Sequence, residues 1–262
     1  MPELPDVEVF RRYFNKTSLN KEIIKAEASK SRVIKGISPK TLQAKLKGDS
    51  FKSADRHGKY LIASTSGNKF LIMHFGMTGS LSYFNNSGEP MKHIHLLLEF
   101  DDNYKLAYRD PRKFGAIYFE ESKEEFLKRK KLGPDPMKGN YSFSNFKEAA
   151  EGKKETLKAF LMDQTILAGI GNLYSDEILF DAEIHPEKPV DKLSGTKLEE
   201  LFSSMKKILK DAIKYEADSA YFPDDYLLKH RKKNAECPKC GGKIRMKTIA
   251  GRSCYFCQNH QK

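Results

Sequence analysis

Residues 237–262 have the sequence CPKCGGKIRMKTIAGRSCYFCQNHQK, which contains all four cysteines of the 262-residue chain. Positions 1–236 contain none, a distribution that a disulfide scaffold would not show. The Cys237-Pro-Lys-Cys240 pair and the two glycines after it have the form of a zinc knuckle, in which glycine lets backbone amides approach the thiolates. We therefore predict a small metal-bound module here, in a reducing compartment.

Two ligand sets can complete this knuckle. With Cys254 and Cys257, the loop between the second and third ligands would be 241–253, whereas with Cys257 and His260 it would be the longer loop 241–256. Spacing alone favours the set of four cysteines, and both sets supply the four ligands of a tetrahedral zinc site. Because neither set leaves a position open for a bound water, the metal is expected to be structural and a zinc hydrolase is disfavoured.

The same part of the chain is strongly basic. Residues 226–262 contain ten Lys and Arg against one acid, Glu236, and so hold nine of the twelve net positive charges. Such a density indicates a polyanionic partner. Nucleic acid is favoured over an anionic membrane surface because the segment has no amphipathic helical pattern. A solvated basic tail is the alternative, and the metal knuckle in the same segment argues against it.

Composition excludes several classes of protein. No stretch approaches the ~20 apolar residues that a membrane span requires, and residues 1–10 (MPELPDVEVF) lack the pattern of a signal peptide. With 39% hydrophobic residues, 17 Phe and 12 Tyr, the chain can form a packed core. We therefore expect a folded cytoplasmic protein.

Residues 1–120 are mainly β in pattern. A helix precedes the strands, since Leu4-Pro5-Asp6 places a proline and an acid at a helix start. Turn residues such as Ser66-Gly67-Asn68 and Asn86-Ser87-Gly88 separate the apolar stretches, and this spacing predicts a sandwich or barrel. The predicted strands are Tyr60–Ser64, Phe70–Phe75, Ile94–Phe100, Lys105–Tyr108 and Ala116–Phe119.

Composition changes at residues 131–136 (KLGPDP), which we interpret as a linker. From there to about Tyr215 the pattern is helical. A loop at residues 163–171, which contains two glycines, separates the second helix of this part from the third. The predicted helices are Phe143–Ala150, Lys154–Met162, Asn172–Phe180 and Gly195–Lys214.

Four separated motifs together resemble the bacterial-type formamidopyrimidine-DNA glycosylases, a family of base-excision repair enzymes. They are residues 1–5 (MPELP), residues 110–115 (DPRKFG), residues 168–174 (AGIGNLY) and the finger with Gly251-Arg252. The second is similar to the family's intercalating loop and the third to its helix–two-turn–helix motif. The resemblance spans residues 1–262.

The resemblance implies an α+β fold in three domains. An N-terminal antiparallel β-sandwich domain with flanking helices would comprise residues 1–130, and this domain would be the catalytic one. A helical, helix–two-turn–helix domain would comprise residues 131–222, and a zinc-finger β-hairpin would comprise residues 223–262.

The resemblance also selects a ligand set for the metal. The spacing between the family's second and third ligands matches the longer loop, 241–256, which implies that Cys237, Cys240, Cys257 and His260 hold one structural Zn²⁺ ion. His260 departs from the usual fourth cysteine. Cys254 stands where relatives have a threonine-like residue.

By the same resemblance, catalysis is assigned to Pro2, Glu3 and Lys59. Removal of Met1 would expose Pro2, whose secondary amine has a reference pKa near ~7.7–8.0 and is therefore partly neutral at physiological pH. A neutral amine can attack the anomeric carbon of a sugar and form an iminium. Glu3 resembles the general acid–base that protonates the sugar ring oxygen. Lys59 resembles the lysine that holds the phosphate beside the lesion.

Three further residues, His74, Asn172 and Arg252, resemble groups of the family that bind phosphate. Asn172 follows Gly171 at a predicted helix N-terminus, where free amides favour an anion.

An enzyme that acts on a base in duplex DNA must flip the nucleotide out, and the emptied stack must be filled. Met77, Arg112 and Phe114 resemble the family's filling residues: a soft wedge, a donor to the orphaned partner base and an aromatic wedge. Insertion of such wedges also kinks the duplex.

Two departures from the family bear on activity. Relatives have a longer glycine-rich loop that closes over an extruded 8-oxoguanine, whereas this chain has only residues 216–220 (EADSA). We therefore expect poor closure over that base, while cleavage at an abasic site needs no base pocket. Asp6 stands where relatives have glutamate, and we assign it to the cap of the first helix, without a catalytic role.

The predicted protein is a bifunctional DNA glycosylase and abasic-site lyase that excises oxidised purines, formamidopyrimidines foremost, and cleaves the strand by β,δ-elimination. Its partner would be duplex DNA with oxidised bases or abasic sites, and a monomer associated with the nucleoid is expected. An endonuclease VIII-like enzyme for oxidised pyrimidines is one alternative, favoured by the short loop and opposed by Leu4-Pro5 and by the match at residues 111–115 (PRKFG). A non-catalytic damage-binding protein is another, which Pro2, Glu3 and Lys59 argue against.

The ligand assignment predicts opposite effects of two substitutions on bound zinc. Cys254→Ser should retain the metal, because Cys254 lies outside the implied set, whereas His260→Ala should lose it. Metal content after exhaustive dialysis measures both. Loss of zinc from Cys254→Ser together with retention in His260→Ala would show that four cysteines hold the metal.

Overall fold

The computed structural model describes residues 1–85 and 91–262. The turn predicted at Asn86-Ser87-Gly88 lies outside these residues. The described chain divides into two compact units, the first formed by Met1–Pro2 and Asp6–Lys130 and the second by Glu3–Pro5 and Lys131–Lys262. Pro2 therefore belongs to the first unit and Glu3 to the second.

The first unit is an antiparallel β-sandwich with helices. Its elements, of which α1 begins with two residues of the second unit, are α1 (Leu4–Ser18), β1 (Ile23–Ala28), α2 (Pro39–Leu46), β2 (Phe51–His57), β3 (Tyr60–Thr65), β4 (Phe70–His74), β5 (Ser80–Phe84), β6 (Ile94–Phe100), β7 (Lys105–Arg109), β8 (Ala116–Glu120) and α3 (Lys123–Arg129). One four-stranded sheet has the order β1-β6-β7-β5 and the other the order β2-β3-β4-β8. Residues of both sheets and of α1 form one core, in which Phe14, Phe51 and Phe100 are fully buried.

The five predicted strands are present, but the sequence pattern does not predict β1, β2, β5, α2 or α3. The reason is clearest in β2 (FKSADRH), whose charged residues hide its alternation. Arg56 is buried because its Nε donates to the Glu8 carboxylate of α1 at 3.2 Å. Asn15 of α1 also exchanges hydrogen bonds with the backbone of Ala54. Polar side chains of α1 thus hold β2 in the sandwich.

The second unit contains a helical part and a hairpin. Its elements are α4 (Phe143–Ala150), α5 (Leu157–Met162), α6 (Asn172–Asp181), α7 (Gly195–Lys214), β9 (Ile244–Ile249) and β10 (Arg252–Cys257). The bounds of α4 and α7 are those that the sequence predicts. The predicted helix from Lys154 begins later, because the Thr156 side chain accepts from the Ala159 amide and caps α5.

The C-terminal strands β9 and β10 pair antiparallel through the two-residue turn Ala250-Gly251. Both residues have positive φ, +49° and +71°, as a type I′ turn requires. Arg252 is therefore the first residue after the turn. The fold class predicted from the sequence is confirmed, whereas the division into three domains stays a prediction. Among the described residues, no helix is long and apolar enough to cross a membrane.

Candidate active site and metal centre

Glu3 is held by the N-terminus of α6. Its carboxylate accepts hydrogen bonds from the backbone amides of Gly171 at 2.7 Å, Leu173 at 2.9 Å and Tyr174 at 3.3 Å. The side chain is only 2% exposed. Amides at a helix N-terminus have no partner within the helix and favour a negative charge, so this position fixes the carboxylate.

Gly171 is required by this contact. A Cβ at position 171 would lie 2.5 Å from Cδ of Glu3, which is closer than two non-bonded carbon atoms approach. Gly169 lies two residues earlier with φ +118°, and its carbonyl accepts from the Leu4 amide at 3.0 Å. The two glycines of the predicted loop thus form the backbone cradle for residues 3 and 4.

Asn172 is the first residue of α6, and its predicted role in phosphate binding stays a prediction. Three backbone amides at this helix N-terminus, which could otherwise bind a phosphate, donate to the Glu3 carboxylate. The Asn172 side chain instead donates from Nδ2 to the carbonyl of Ser253 in β10 at 3.0 Å. Since an amide nitrogen has two hydrogens, this bond leaves one hydrogen able to reach a ligand.

Lys59 lies at the tip of the β2–β3 hairpin. His57 pairs with Tyr60, so Gly58 and Lys59 form a two-residue turn. Gly58 has φ +54°, the sign that the first position of a II′ turn needs. Arg56 supports the turn by donating to the Gly58 carbonyl at 3.3 Å.

His74 ends β4 as a neutral donor. Burial, together with the charges of Lys59 and Lys130, lowers the pKa of His74 to about 4. Nδ1 accepts from the Gly76 amide at 3.1 Å, so the proton of the neutral ring lies on Nε2. A neutral N–H donor at this place can bind a phosphate oxygen without titrating near neutral pH.

Glycines let the two predicted wedge loops approach each other. A Cβ on Gly76 would overlap the backbone of Phe114 and Gly115, and a Cβ on Gly115 would overlap the Tyr108 hydroxyl. Gly76 also has φ +59°. The loop that contains Met77 therefore packs backbone to backbone against the loop that contains Phe114.

Asp110 holds both loops, a role that the sequence pattern does not reveal. It is fully buried, and its two carboxylate oxygens accept from the Thr78 hydroxyl at 2.6 Å and from the Gly115 amide at 2.7 Å. Thr78 in turn accepts from the Arg112 amide at 3.3 Å. The acid that opens the DPRKFG motif is thus a scaffold for the wedges.

Met77 and Phe114 are unusually exposed for apolar side chains, at 39% and 50%. The guanidinium of Arg112 lies 5.0 Å from the centre of the Phe114 ring, and that of Arg32 lies 5.5 Å from it. Arg32 also donates to the Lys113 carbonyl at 3.0 Å. An exposed aromatic ring flanked by cations can stack on a base beside phosphates. Arg32 is a member of this surface that sequence reasoning misses.

Three cysteines of the knuckle form a candidate metal centre. The sulphur atoms of Cys237, Cys240 and Cys257 all lie within 4.8 Å of one another. Gly242 makes room for them, since a Cβ there would lie 3.2 Å from the sulphurs of both Cys240 and Cys257. Three convergent thiol groups are a donor set that suits zinc.

Among residues 1–85 and 91–262, which the structure describes, the group of converging ligand atoms includes neither Cys254 nor His260. Cys254 is fully buried against Ile249 and Phe256, and burial raises the pKa of its thiol. His260 packs on the Phe180 ring, and its Nε2 lies 3.1 Å from the Phe180 carbonyl oxygen.

The basic segment 226–262 is partly neutralised in the fold. Four of its ten cations form ion pairs: Lys229 with Asp224, Arg231 with Asp176, Lys239 with Asp225 and Lys247 with Glu187. Among the described residues, the other six have no ion-pair partner in the structure. They are Lys232, Lys233, Lys243, Arg245, Arg252 and Lys262. Six of the ten cations of the predicted polyanion surface therefore remain available to a polyanion.

The predicted site residues form two groups. In the first unit, Lys59 acts electrostatically on His74, and Met77, Arg112 and Phe114 lie on two packed loops. In the second unit, Glu3, Asn172 and Arg252 are linked through α6 and β10.

Glu3 is bound at the N-terminus of α6, and α5, the glycine loop and α6 correspond to the predicted helix–two-turn–helix motif. Together with the C-terminal hairpin and its clustered cysteines, this element defines a class of helix–two-turn–helix proteins with a cysteine-rich hairpin. The family models narrow this class. Residues 1–117 match the formamidopyrimidine-DNA glycosylase N-terminal domain, and residues 132–224 match the formamidopyrimidine-DNA glycosylase H2TH domain. The chain belongs to the formamidopyrimidine-DNA glycosylase family.

Relatives and solved structures agree with this assignment over the whole chain. The formamidopyrimidine-DNA glycosylases of Mycoplasma genitalium and Geotalea uraniireducens are each 35% identical, over 100% of this chain and 96% and 100% of their own. The Lactococcus lactis enzyme bound to DNA with an abasic site has a TM-score of 0.89 at 31% identity, with 99% of both chains covered. A MutM complex with DNA containing carbocyclic 8-oxo-G has a TM-score of 0.90 at 32% identity, with full coverage.

The cradle around Glu3 predicts a strong effect of one methyl group. Gly171→Ala should displace the Glu3 carboxylate and lower the rate of strand cleavage by ~100-fold or more, since a misplaced catalytic group costs that much. Gly139→Ala is the matched control, because a Cβ there contacts nothing within 4 Å. Single-turnover cleavage of an abasic duplex measures both. Equal rates for the two variants would contradict the role of the cradle.

The low pKa of His74 predicts a pH-dependent contribution to stability. The unfolded chain binds a proton there below about pH 6.5, but the folded protein does so only near pH 4. The contribution is therefore complete above pH 6.5 and is lost as the pH falls to 4. His74→Gln should flatten the free energy of unfolding over this range by up to ~1 kcal/mol per pH unit. Urea denaturation at several pH values measures this slope, and parallel curves would contradict the prediction.

Proposed function

We propose that this protein is a base-excision repair enzyme, a DNA glycosylase with abasic-site lyase activity that removes oxidised purines. The observation that carries the proposal is the Glu3 carboxylate, which three amides of α6 fix beside the residue that would be the nucleophile. Family membership over the full chain supports the same reaction.

Pro2 is the proposed nucleophile. After removal of Met1, its nitrogen forms a bond to C1′ of the damaged nucleotide, and the bond to the base breaks with its electron pair leaving on the base. The nitrogen then passes its proton to the Glu3 carboxylate. The C1′–O4′ bond breaks as the nitrogen lone pair forms the iminium, and Glu3 returns the proton to the ring oxygen. β- and δ-elimination from this intermediate cleave the strand on both sides of the sugar.

The remaining first-unit residues would bind and deform the duplex. Lys59 and the Nε2–H of neutral His74 would hold phosphates, since a hairpin tip and a strand end present both groups. Met77 and Phe114 would enter the stack in place of the extruded nucleotide, and Arg112 would donate to the orphaned base. Their exposure supports this role, because it leaves both side chains accessible to a DNA duplex.

The connection after α7 supports a preference for formamidopyrimidine over 8-oxoguanine. Glu216 and Ala217 have φ +54° and +55° and close the helix, the second through a bond to the Ala212 carbonyl at 2.8 Å. Asp218 then caps the next turn, and Phe222 is buried. A connection of only residues 216–220 before the buried Phe222 supports the expectation of poor closure over an extruded 8-oxoguanine.

The hairpin would hold one structural zinc ion between Cys237, Cys240, Cys257 and His260. His260 follows Cys257 at the same interval as Cys240 follows Cys237. If Nε2 donates to the Phe180 carbonyl, Nδ1 carries the lone pair that a metal needs, an arrangement typical of metal-bound histidines. The metal would stabilise the hairpin that presents Arg252 and take no part in the reaction.

The partner would be duplex DNA containing oxidised bases or abasic sites. We further propose that the protein acts as a monomer and that it works on the nucleoid in the cytoplasm, where such DNA is found.

Borohydride trapping on four duplexes tests the proposal: formamidopyrimidine, 8-oxoguanine, an oxidised pyrimidine and an abasic site. A covalent adduct should form on the abasic and formamidopyrimidine duplexes, and ~10-fold more slowly or worse on 8-oxoguanine, since lost base contacts cost about that much. Pro2→Gly and a Met1-retaining chain should form none. No adduct on the abasic duplex would leave only a damage-binding protein, and fastest trapping on the oxidised pyrimidine would favour the endonuclease VIII-like activity.

A further inference from the structure

Three charged side chains form a cluster in the interior of the second unit, outside the residues that the proposed reaction uses. Lys158 of α5 and Asp176 of α6 are fully buried and lie 2.5 Å apart. Arg231, in the segment before the knuckle, donates from Nε and Nη2 to the second oxygen of Asp176 at 3.0 and 2.7 Å. Asp176 thus lies between two cations.

The cluster reaches β10 directly. The second oxygen of Asp176 also accepts from the backbone amide of Tyr255 at 3.1 Å. Arg231 extends the contact, since its Nη2 lies 3.4 Å from the Ser253 carbonyl and its guanidinium lies 4.7 Å from the centre of the Tyr255 ring. Residues 253 and 255 of the hairpin are therefore fixed to α6 from one side.

The same cluster reaches the first residue of α6. Lys158 donates to the Asn172 carbonyl at 2.7 Å and to the Ser175 hydroxyl at 2.7 Å. The Asn172 side chain donates to the Ser253 carbonyl, the same oxygen that Arg231 approaches. Ser253 directly follows Arg252, so one carbonyl joins the surroundings of Asn172 and Arg252.

The orientation of the Asn172 amide has an energetic cost. Because Nδ2 must face the Ser253 carbonyl, Oδ1 is buried and has no hydrogen-bond partner among the described residues. A buried acceptor without a partner is destabilising, so its presence in a folded protein calls for a functional explanation. A buried ion cluster likewise adds little net stability compared with apolar residues, but it enforces one geometry.

We propose that Asp176 and Arg231 are positioning residues which fix the Asn172 amide and the Arg252 turn at one spacing, so that both contact the same stretch of DNA backbone. This inference rests on the proposed function. Asp176 is the shared acceptor, and Arg231 is the element that the hairpin side supplies. Neither touches the reacting atoms.

The planar fork of Arg231 is essential to this role. A guanidinium has five donors in fixed directions, so it can bind the Asp176 carboxylate and approach a carbonyl together. A lysine keeps the charge but not the fork. Arg231→Lys therefore separates positioning from the general attraction of a cation for DNA.

A double-mutant cycle between positions 231 and 252 tests the proposal through DNA affinity. Arg252→Ala should weaken binding of an abasic-analogue duplex by ~10-fold in the wild-type background and by less than ~3-fold in Arg231→Lys, since coupled residues are not additive. The slope of log affinity against log salt should fall by ~1 in Arg231→Lys although no charge is removed, because one phosphate contact is lost.

Lys232→Met is the matched control, because Lys232 is an exposed neighbour that belongs to none of these contacts. It removes a charge yet should leave the full effect of Arg252→Ala intact. Zinc content and the urea midpoint should equal the wild-type values in Arg231→Lys, since Asp176 keeps its bond to Lys158. Where Arg231→Lys unfolds or loses zinc, Asn172→Ala replaces it in the cycle, because this substitution removes the contact with the Ser253 carbonyl and keeps the buried ion cluster.

Additive effects of the two substitutions, or an unchanged salt slope in Arg231→Lys, would overturn the positioning role. Failure of the proposed function is a separate result. Wild-type protein that binds the duplex but forms no borohydride adduct would refute the lyase, while the cycle would still decide whether position 231 acts on position 252.

Discussion

The bond between the Glu3 carboxylate and three amides of α6 is the constraint on which the candidate site depends. Residue 3 lies near a chain terminus, where segments are usually poorly ordered unless something ties them down. Here a helix N-terminus supplies donors that need an acceptor, and the carboxylate needs donors once it leaves water. Each satisfies the other, so an otherwise flexible terminus becomes a fixed part of the molecule.

The wedge surface of the first unit follows the same principle with different chemistry. Met77, Phe114 and Arg112 are exposed and would move if nothing beneath them were rigid. The buried Asp110 carboxylate and the glycine contacts supply that rigidity. The exposed side chains that would contact DNA are therefore carried by a backbone that the buried Asp110 carboxylate holds in place.

Much of this was available in the sequence, and the limits have physical causes. The bounds of α4 and α7 follow from local periodicity, and the knuckle follows from cysteine spacing, because both signals lie within a few residues. The partner of Glu3 lies 168 residues away, and no local pattern encodes such a pairing. Likewise β2 is hidden by Arg56, whose charge indicates exposure although Glu8 keeps it buried. The roles of Asp110 and Arg32 could not be predicted from the sequence, because they depend on contacts between loops that are distant in the chain.

Cys254 gives the hairpin a property of its own. Its sulphur is inaccessible and its thiol is held protonated, so it cannot react with an alkylating reagent while β9 and β10 remain closed on α6. The rate at which a reagent alkylates Cys254 would therefore measure how often the hairpin opens.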